Sequence, residues 1–149
     1  MRIIVQKHDF DVGDEISSLA RGDPGVGGIA SFVGLVREEN DGSAITGMTL
    51  EHYPAMTQKA LEGIVAQAAE RWVLRDAVVI HRVGALKPGD RIVLVAVAGA
   101  HRGDAFAACE FIVDYLKTQA PFWKKERTPA GERWVEARAS DEEAARRWR

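Results

Sequence analysis

The sequence predicts a single domain, residues 1–149, of the mixed α+β class. A chain of 149 residues with 46% apolar and 28% charged residues has the size and composition of one globular domain. β-branched runs of strand length occur together with two long patterns of helical periodicity. Two of these runs flank the dipeptide Pro88-Gly89, which suits the centre of a type II turn and so predicts an antiparallel hairpin.

The first half of the chain alternates strand and helix signals. We expect, in order, a strand at 3–5, a short helix at 11–20, a strand at 29–37, a polar loop at 38–43 and a strand at 44–52. Pro54 then precedes an amphipathic helix, because apolar residues recur at three- and four-residue spacing on one face. These residues are Met56, Ala60, Leu61, Ile64, Val65, Ala68 and Trp72.

In the second half, the predicted hairpin pairs residues 77–83 with residues 91–98. A helix follows, capped by Asp104 and ended by Pro121. Its inward face is expected to carry Phe106, Cys109, Ile112, Val113 and Leu116. A turn at 128–131 leads to a short strand at 133–138. The tail is predicted to be helical, with a Ser140/Glu143 capping box and the ion pairs Glu142–Arg146 and Glu143–Arg147.

The overall charge and the lone cysteine limit the class of protein. Twenty Lys and Arg against 22 Asp and Glu give a net charge of −2, so no whole-molecule field attracts nucleic acid or an anionic membrane. Cys109 has no second cysteine to pair with, and we expect it to be an inert core residue. No apolar run approaches the roughly 20 residues of a membrane helix, which favours a cytoplasmic protein. The four histidines lack the spacing of a metal site, so we expect no bound metal.

Two short motifs are better explained by structure than by function. Residues 25–30 fit a loose dinucleotide-binding pattern, but they precede a predicted strand instead of opening a helix. Residues 102–104 spell an adhesion tripeptide, for which helix capping by Asp104 is the better explanation in a chain without a secretion signal.

Residues at two predicted strand ends could bind an anion. His101 and Arg102 stand where a buried strand gives way to a helix, whose free N–H groups and partial positive charge favour phosphate. Arg37 closes another strand in the same way. The alternative is that all three are ordinary solvated residues of loops and strand ends.

A local basic cluster lies near the end of the helix that follows His101. Residues 117–127 contain four cations and one acid, a net charge of +3. Clustered ammonium groups lower one another's pKa, so a lysine here could act as an acid, a base or a nucleophile near neutral pH. The alternative is a solvated basic loop.

Phe122 and Trp123 lie within this basic cluster and allow a second function. Aromatic rings beside cations can stack on bases, as in proteins that bind RNA or nucleotides without catalysis. Packing of both rings into the core is the other possibility.

Five segments occur in an order and at spacings that carry a family resemblance. They are FVGLVR at 32–37, LEHYP at 50–54, IHRVG at 80–84, AHR at 100–102, and the segment 115–126, which contains YLK and PFWKKE. From about Gly27 to the C-terminus the chain resembles the large, catalytic subunit of molybdopterin synthase. The resemblance implies an α/β-hammerhead fold, with an antiparallel-rich sheet and packed helices.

The resemblance also implies a reaction. Members of that family convert cyclic pyranopterin monophosphate into molybdopterin by installing two dithiolene sulfurs, a step of molybdenum cofactor biosynthesis. Sulfur would arrive as a thiocarboxylate on the C-terminal Gly-Gly of a small ubiquitin-like partner, which agrees with an inert Cys109. A homodimer flanked by two small subunits, a heterotetramer, is implied, with no cofactor besides the pterin substrate.

The motif matches imply catalytic roles for two lysines. Lys117 corresponds to the lysine that acts most directly, and Lys124 corresponds to a second active-site lysine. Lys125 and Glu126 complete the same motif and are implied to bind substrate.

Further substrate-binding positions follow from the same matches. His101 and Arg102 correspond to a pair that binds the substrate phosphate. Leu35, Val36 and Arg37 correspond to pocket positions, with Arg37 reaching across the dimer interface. The family often has a polar or basic residue at position 35, so here the backbone of Leu35 is what would line the pocket.

These residues suggest a mechanism based on charge. An anionic cyclic phosphate and an anionic thiocarboxylate repel each other unless cations lie between them. Lys117, Lys124, Arg102 and Arg37 would supply those cations, while Lys117 or His101 moves protons. An RNA-binding module and an inactive scaffold that only holds its partner remain the competing hypotheses.

Overall fold

The computed structural model describes residues 1–135 and 139–149. The elements are β1 (Arg2–Gln6), α1 (Val12–Ala20), β2 (Gly28–Leu35), β3 (Glu39–Asn40), β4 (Ser43–Ala44), β5 (Gly47–His52), α2 (Pro54–Arg71), β6 (Leu74–Arg82), β7 (Gly84–Leu86), β8 (Arg91–Gly99), α3 (Arg102–Gln119), β9 (Phe122–Thr128), β10 (Gly131–Val135) and α4 (Ala139–Arg146). No helix among the described residues combines the length and the apolar character needed to cross a bilayer.

Two four-stranded sheets organise the fold. The first has the strand order β1-β6-β8-β2, in which β1 runs parallel to β6 and the other pairs are antiparallel. The second has the order β10-β9-β5-β7 and is antiparallel throughout. The prediction of a mixed α+β fold with antiparallel-rich sheets is confirmed.

The core is built on both faces of β8, whose side chains from Ile92 to Gly99 are all buried. Alternation along the strand sends Val93, Val95 and Val97 to one face. Leu94 and Ala96 point to the other face, with α1 packed over it. Helices α2 and α3 pack against each other, and α3 covers the first face of β8. α3 begins three residues after β8 ends, so its first residues lie at the C-terminal end of that strand.

Hydrogen bonds and close contacts define several local features, and those of the turn and the glycine run agree with prediction. Asp11 caps α1 by accepting a 2.9 Å bond from the Asp14 backbone N–H. In the turn of the β6–β8 hairpin, Gly89 has φ +89° and the Asp90 N–H donates to the Lys87 carbonyl at 3.0 Å. The glycine run precedes a strand, and a Cβ at Gly27 would lie 2.0 Å from the Ala100 carbonyl oxygen. A close backbone approach therefore explains that glycine.

The segments predicted as loops contain more strand than expected. The polar stretch 38–43 contains β3 and the first residue of β4, which pair as a small hairpin. β7 lies between the two strands of the predicted hairpin and pairs with β5. The basic stretch becomes β9, which pairs with both β5 and β10, so its alternative interpretation as a solvated loop is wrong. Of the strand predicted at 133–138, the part beyond 135 lies outside the described residues.

Three details of the helices differ from prediction. α3 begins at Arg102, and the Asp104 carboxylate accepts from the Val73 N–H at 3.3 Å instead of capping the helix. Met56 and Phe106, expected on inward faces, are 61% and 65% exposed, whereas their sequence neighbours Thr57 and Ala105 are buried. α4 already begins at Ala139, so Ser140 lies in its first turn and does not precede it.

The tail is held by ion pairs with α3 that sequence spacing did not predict. Arg147 reaches Glu110 at 3.0 Å and Asp114 at 3.1 Å. The indole N–H of Trp148 also donates to Asp114, at 2.7 Å. The guanidinium of Arg147, which the sequence predicts to pair with Glu143, therefore pairs with acidic residues of α3.

Candidate active site

A cavity of about 330 Å³ opens where the end of α3, strand β9 and the last residues of β6 meet the segment after β2. This volume is at the lower end of the range for small-molecule sites. Its polar lining consists of Arg37, Asn40, His81, Lys117, Lys124, Glu126 and Asp141. Leu50, Leu116 and Phe122 supply an apolar wall.

Both lysines predicted to be catalytic line this cavity. Lys117 lies in the last turn of α3, where the helix dipole favours a cation, and directly follows the buried Leu116. Lys124 lies in β9, opposite Leu50 of β5 and Val135 of β10. Two consecutive elements, the end of a helix and the strand that follows it, thus bring both lysines to one cavity.

The next lysine in the motif lies on the other face of β9. Lys125 forms an ion pair with Glu132 at 3.4 Å and sits over the Trp134 ring at 4.8 Å. Arg127 reaches the same Glu132 carboxylate at 3.7 Å. The side-chain alternation of a strand separates Lys125 from Lys124, so Lys125 does not line the cavity with it.

The two aromatic residues of this segment are separated in the same way. Phe122 stacks on His81 with ring centroids 3.8 Å apart and an interplanar angle of 16°. Trp123 packs on the opposite face against Tyr53, at 4.6 Å. Phe122 and Trp123 therefore lie on different faces of β9 and do not form one stacking surface.

Arg37 belongs to a hydrogen-bonded network in the cavity wall. Its guanidinium donates to Asn40 Oδ1 at 3.1 Å. Asn40 Nδ2 donates to the two oxygens of Glu126 at 2.9 and 3.1 Å, and Arg133 lies 3.4 Å from the same carboxylate. Arg37 thus shares a cavity with Lys117 of its own chain, which differs from the expectation that it reaches across a dimer interface.

Leu35 and Val36, which were predicted to line the pocket with Arg37, differ in exposure. Leu35 is 53% exposed and lines the cavity. Val36 is 3% exposed and does not line it. Its N–H donates to the Asp90 carbonyl at 2.9 Å, which anchors the strand end that carries Arg37.

His101 and Arg102 lie at the opposite end of α3 from the cavity. His101 is the N-cap residue and Arg102 begins the helix, and both are exposed. Fifteen residues at the helical rise place the start of the helix about 22 Å from Lys117. The predicted phosphate-binding pair and the lysines predicted to be catalytic therefore do not meet within one chain.

His81 lines the cavity but was not predicted as a site residue. Its Nδ1 lies 2.8 Å from the Arg82 carbonyl, and because a carbonyl only accepts, Nδ1 carries the hydrogen and Nε2 holds the lone pair. Burial, together with the positive charges of Lys117 and Lys124, lowers the pKa of His81 to about 3. The segment IHRVG offered the signal, but a histidine in an apolar strand does not reveal which face it takes.

The neutral state of His81 predicts a pH-dependent stability. Its pKa is about 3 when folded, against 6.5 when exposed, so the unfolded chain binds a proton that the folded chain does not as pH falls below 6.5. The folded state should lose about 2 kcal/mol from this group between pH 7 and pH 5. Chemical denaturation at these two pH values measures the loss.

A His81→Asn variant is the control, because the asparagine amide can still donate to the Arg82 carbonyl but does not titrate. The groups that face His81 are Lys117 from α3, Lys124 from β9 and His52 from β5, and all remain in the variant. We expect the loss of stability from pH 7 to pH 5 to be smaller in the variant than in the unmodified chain. An equal loss in both proteins would contradict the assignment.

Cys109 is confirmed as an inert core residue. It is 6% exposed, and its thiol lies 3.7 Å from the Val95 carbonyl oxygen. Burial raises the pKa of this thiol to about 11, which keeps it protonated near neutral pH. Cys109 is thus unsuited to carry sulfur.

The fold and the cavity together define an α+β protein with a cation-lined site for an anionic small molecule. Comparison with known proteins identifies the family. The model of the MoaE protein family matches residues 5–119, more than half of the chain. The chain belongs to the MoaE family, the catalytic subunits of molybdopterin synthase.

Individual relatives agree with this assignment. The molybdopterin synthase catalytic subunit of Ralstonia nicotianae is 63% identical over 146 residues, covering 98% of this chain and 83% of that protein. The solved MoaE protein of Burkholderia ambifaria is 54% identical with a TM-score of 0.84, covering 99% of this chain and 97% of that one. A Helicobacter pylori complex of subunits 1 and 2 of molybdopterin-converting factor shares the fold, with a TM-score of 0.74, 21% identity and 91% of each chain covered.

Proposed function

We propose that this chain transfers sulfur from the C-terminal thiocarboxylate of a small ubiquitin-like subunit to cyclic pyranopterin monophosphate, forming the dithiolene of molybdopterin. The observation that carries the proposal is the convergence of Arg37, Lys117 and Lys124 on one cavity in a member of this family. Both proposed reactants are anions, and three cations in a partly enclosed site stabilise them together.

The carboxylates that line the cavity do not outnumber its cations, so the net charge of the lining stays positive. Glu126 and Asp141 also border the cavity. Glu126 is 2% exposed, and its oxygens are engaged by Asn40 and Arg133. An entering anion therefore meets ammonium and guanidinium groups in excess.

The sulfur donor must come from outside the chain, because the thiol of Cys109 is buried and protonated. A terminal Gly-Gly segment has no side chains and suits a cavity of about 330 Å³ that the pterin must also enter. The two-subunit complex solved for the Helicobacter pylori protein of the same fold supports a small partner. The pterin is the substrate, and the proposal requires no further cofactor and is compatible with the cytoplasm.

Each round of the proposed reaction exchanges one C–O bond of the pterin side chain for a C–S bond. The thiocarboxylate sulfur attacks the side-chain carbon, and in the first round the departing oxygen opens the cyclic phosphate. Water then cleaves the acyl–sulfur bond, returning the partner's terminus as a carboxylate and leaving sulfur on the pterin. Lys117 donates a proton to the departing oxygen. In the second round this oxygen leaves as water while the neighbouring carbon loses its proton, which forms the carbon–carbon double bond of the dithiolene, so no oxidant or reductant is needed.

A second copy of the chain would bring His101 and Arg102 to the site. These residues lie about 22 Å from Lys117 along α3, so they can contribute only to the cavity of another chain. The proposed homodimer, flanked by two small subunits, would place them there. This arrangement assigns Arg37 to the chain that carries the lysines and Arg102 to its partner.

Reconstitution tests the proposal. We expect the purified chain to form dithiolene product only when both the cyclic pterin and a partner ending in a Gly-Gly thiocarboxylate are present. A partner ending in an ordinary carboxylate is the matched control and should give no product. Product formation with the carboxylate partner, or none with the thiocarboxylate, would overturn the proposal.

A further inference from the structure

We propose that Asn40 is a positioning residue that aims the guanidinium of Arg37 into the cavity, and that Glu126 acts through Asn40 and not by touching substrate. The proposal rests on the proposed function for the identity of the substrate, but the contacts that support it all lie within this chain. It concerns the hydrogen-bonded series Arg37, Asn40, Glu126 and Arg133 described above.

The chemistry of the two neighbours fixes the amide of Asn40 in one orientation. The Glu126 carboxylate accepts at 2.9 and 3.1 Å, so the nitrogen of the amide must face it. The Arg37 guanidinium only donates, so the amide oxygen must face Arg37, as observed at 3.1 Å. Reversing the amide would set donor against donor and acceptor against acceptor.

Burial makes this arrangement rigid. Asn40 is 7% exposed and Glu126 is 2% exposed, so their polar atoms gain little from water. Arg133 also donates to the backbone carbonyl of Asn40, at 3.0 Å. The amide is thus held through its side chain by β9 and through its backbone by β10.

Arg37 is the member of the series that lies on an exposed segment. It follows β2 on an exposed segment, and an exposed arginine samples many rotamers unless a contact selects one. The bond to Asn40 removes part of that freedom before substrate arrives, which strengthens anion binding by preorganisation. We therefore expect Asn40 to affect the KM for the pterin more than kcat.

The test combines single and double variants with two readouts. Asn40→Ala should raise the KM for the cyclic pterin about tenfold, and Arg37→Ala should raise it at least as much. Because Asn40 acts through Arg37, the double variant should be no worse than Arg37→Ala alone. Multiplying effects would show an independent structural role and overturn the proposal.

The second readout needs neither partner nor pterin. The rate at which phenylglyoxal modifies Arg37, followed by mass spectrometry of the peptide, should rise severalfold in Asn40→Ala because the guanidinium is released. If no protein turns over but this rate rises, the proposed function fails and the positioning role stands. If turnover is normal and neither the KM nor the modification rate changes, the positioning role fails.

Three further variants distinguish the proposed role from a folding defect. Glu132→Gln alters a carboxylate on the outer face of the same hairpin and should leave the pterin KM unchanged. Asn40→Asp places two carboxylates against each other, and adding Glu126→Gln restores a donor to that contact. We expect the added substitution to recover most of the pterin affinity lost in Asn40→Asp, and failure to recover it in a folded protein would contradict the proposal.

Discussion

Replacing Lys117 with alanine is expected to lower the rate of dithiolene formation at least about a hundredfold, with the thiocarboxylated partner and pterin at saturation. Lys117 is the cation in the last turn of α3 that lines the cavity, and the other cation of that helix, Arg102, lies at its opposite end. Single-turnover assays of product would measure the loss. A rate near that of the unmodified chain would remove Lys117 from the mechanism.

The adjacent lysines of β9 provide a matched comparison for this result. Lys124→Ala should also reduce the rate strongly, because its ammonium group lines the cavity. Lys125→Ala removes the same charge one residue later, from the face that pairs with Glu132, and should change the rate less than about twofold. Equal losses in the two variants would mean that overall charge, and not the cavity, determines activity.

The second large effect is expected from mixed dimers. Lys117→Ala and Arg102→Ala should each inactivate the homodimer, whereas a dimer containing one chain of each kind should recover about half of the full activity. One of its two sites then combines an intact Lys117 with an intact Arg102 from the partner. Differently tagged chains, purified as mixed dimers, permit the measurement.

The reciprocal dimer is the control for this prediction. A chain carrying both substitutions, paired with an unmodified chain, has one lesion in each shared site and should be inactive. If each site were built within one chain, this dimer would keep half the activity and the first mixed dimer would have none. The two arrangements therefore predict opposite results from the same pair of proteins.

Local patterns in the sequence predicted much of the scaffold. The three- and four-residue spacing of α2 and the Pro88-Gly89 turn each depend on neighbouring residues, so they could be recognised without tertiary information. The stretch around Lys124 could not be recognised in this way, because its strand is defined by pairing with β5 and β10. Charge alone suggested a loop there.

The candidate site was predicted only in part, because some of its residues are defined by tertiary contacts that local sequence patterns do not show. The resemblance placed Lys117 and Lys124 in one pocket, and the structure brings them to one cavity. Lys125 belongs to the same motif, yet strand alternation sends it to the other face. Asn40 and His81 could not be found from the sequence, because their roles depend on hydrogen bonds and stacking.

The most direct test of the central claim follows the sulfur atoms. The partner subunit would carry a thiocarboxylate labelled with sulfur-34 and react with the cyclic pterin on this chain, and the product and the partner's terminus would then be weighed by mass spectrometry. We predict that both dithiolene sulfurs carry the label and that two partner termini become carboxylates for each pterin converted. Unlabelled sulfur in the product, or abolition of the reaction by Cys109→Ser, would contradict the account.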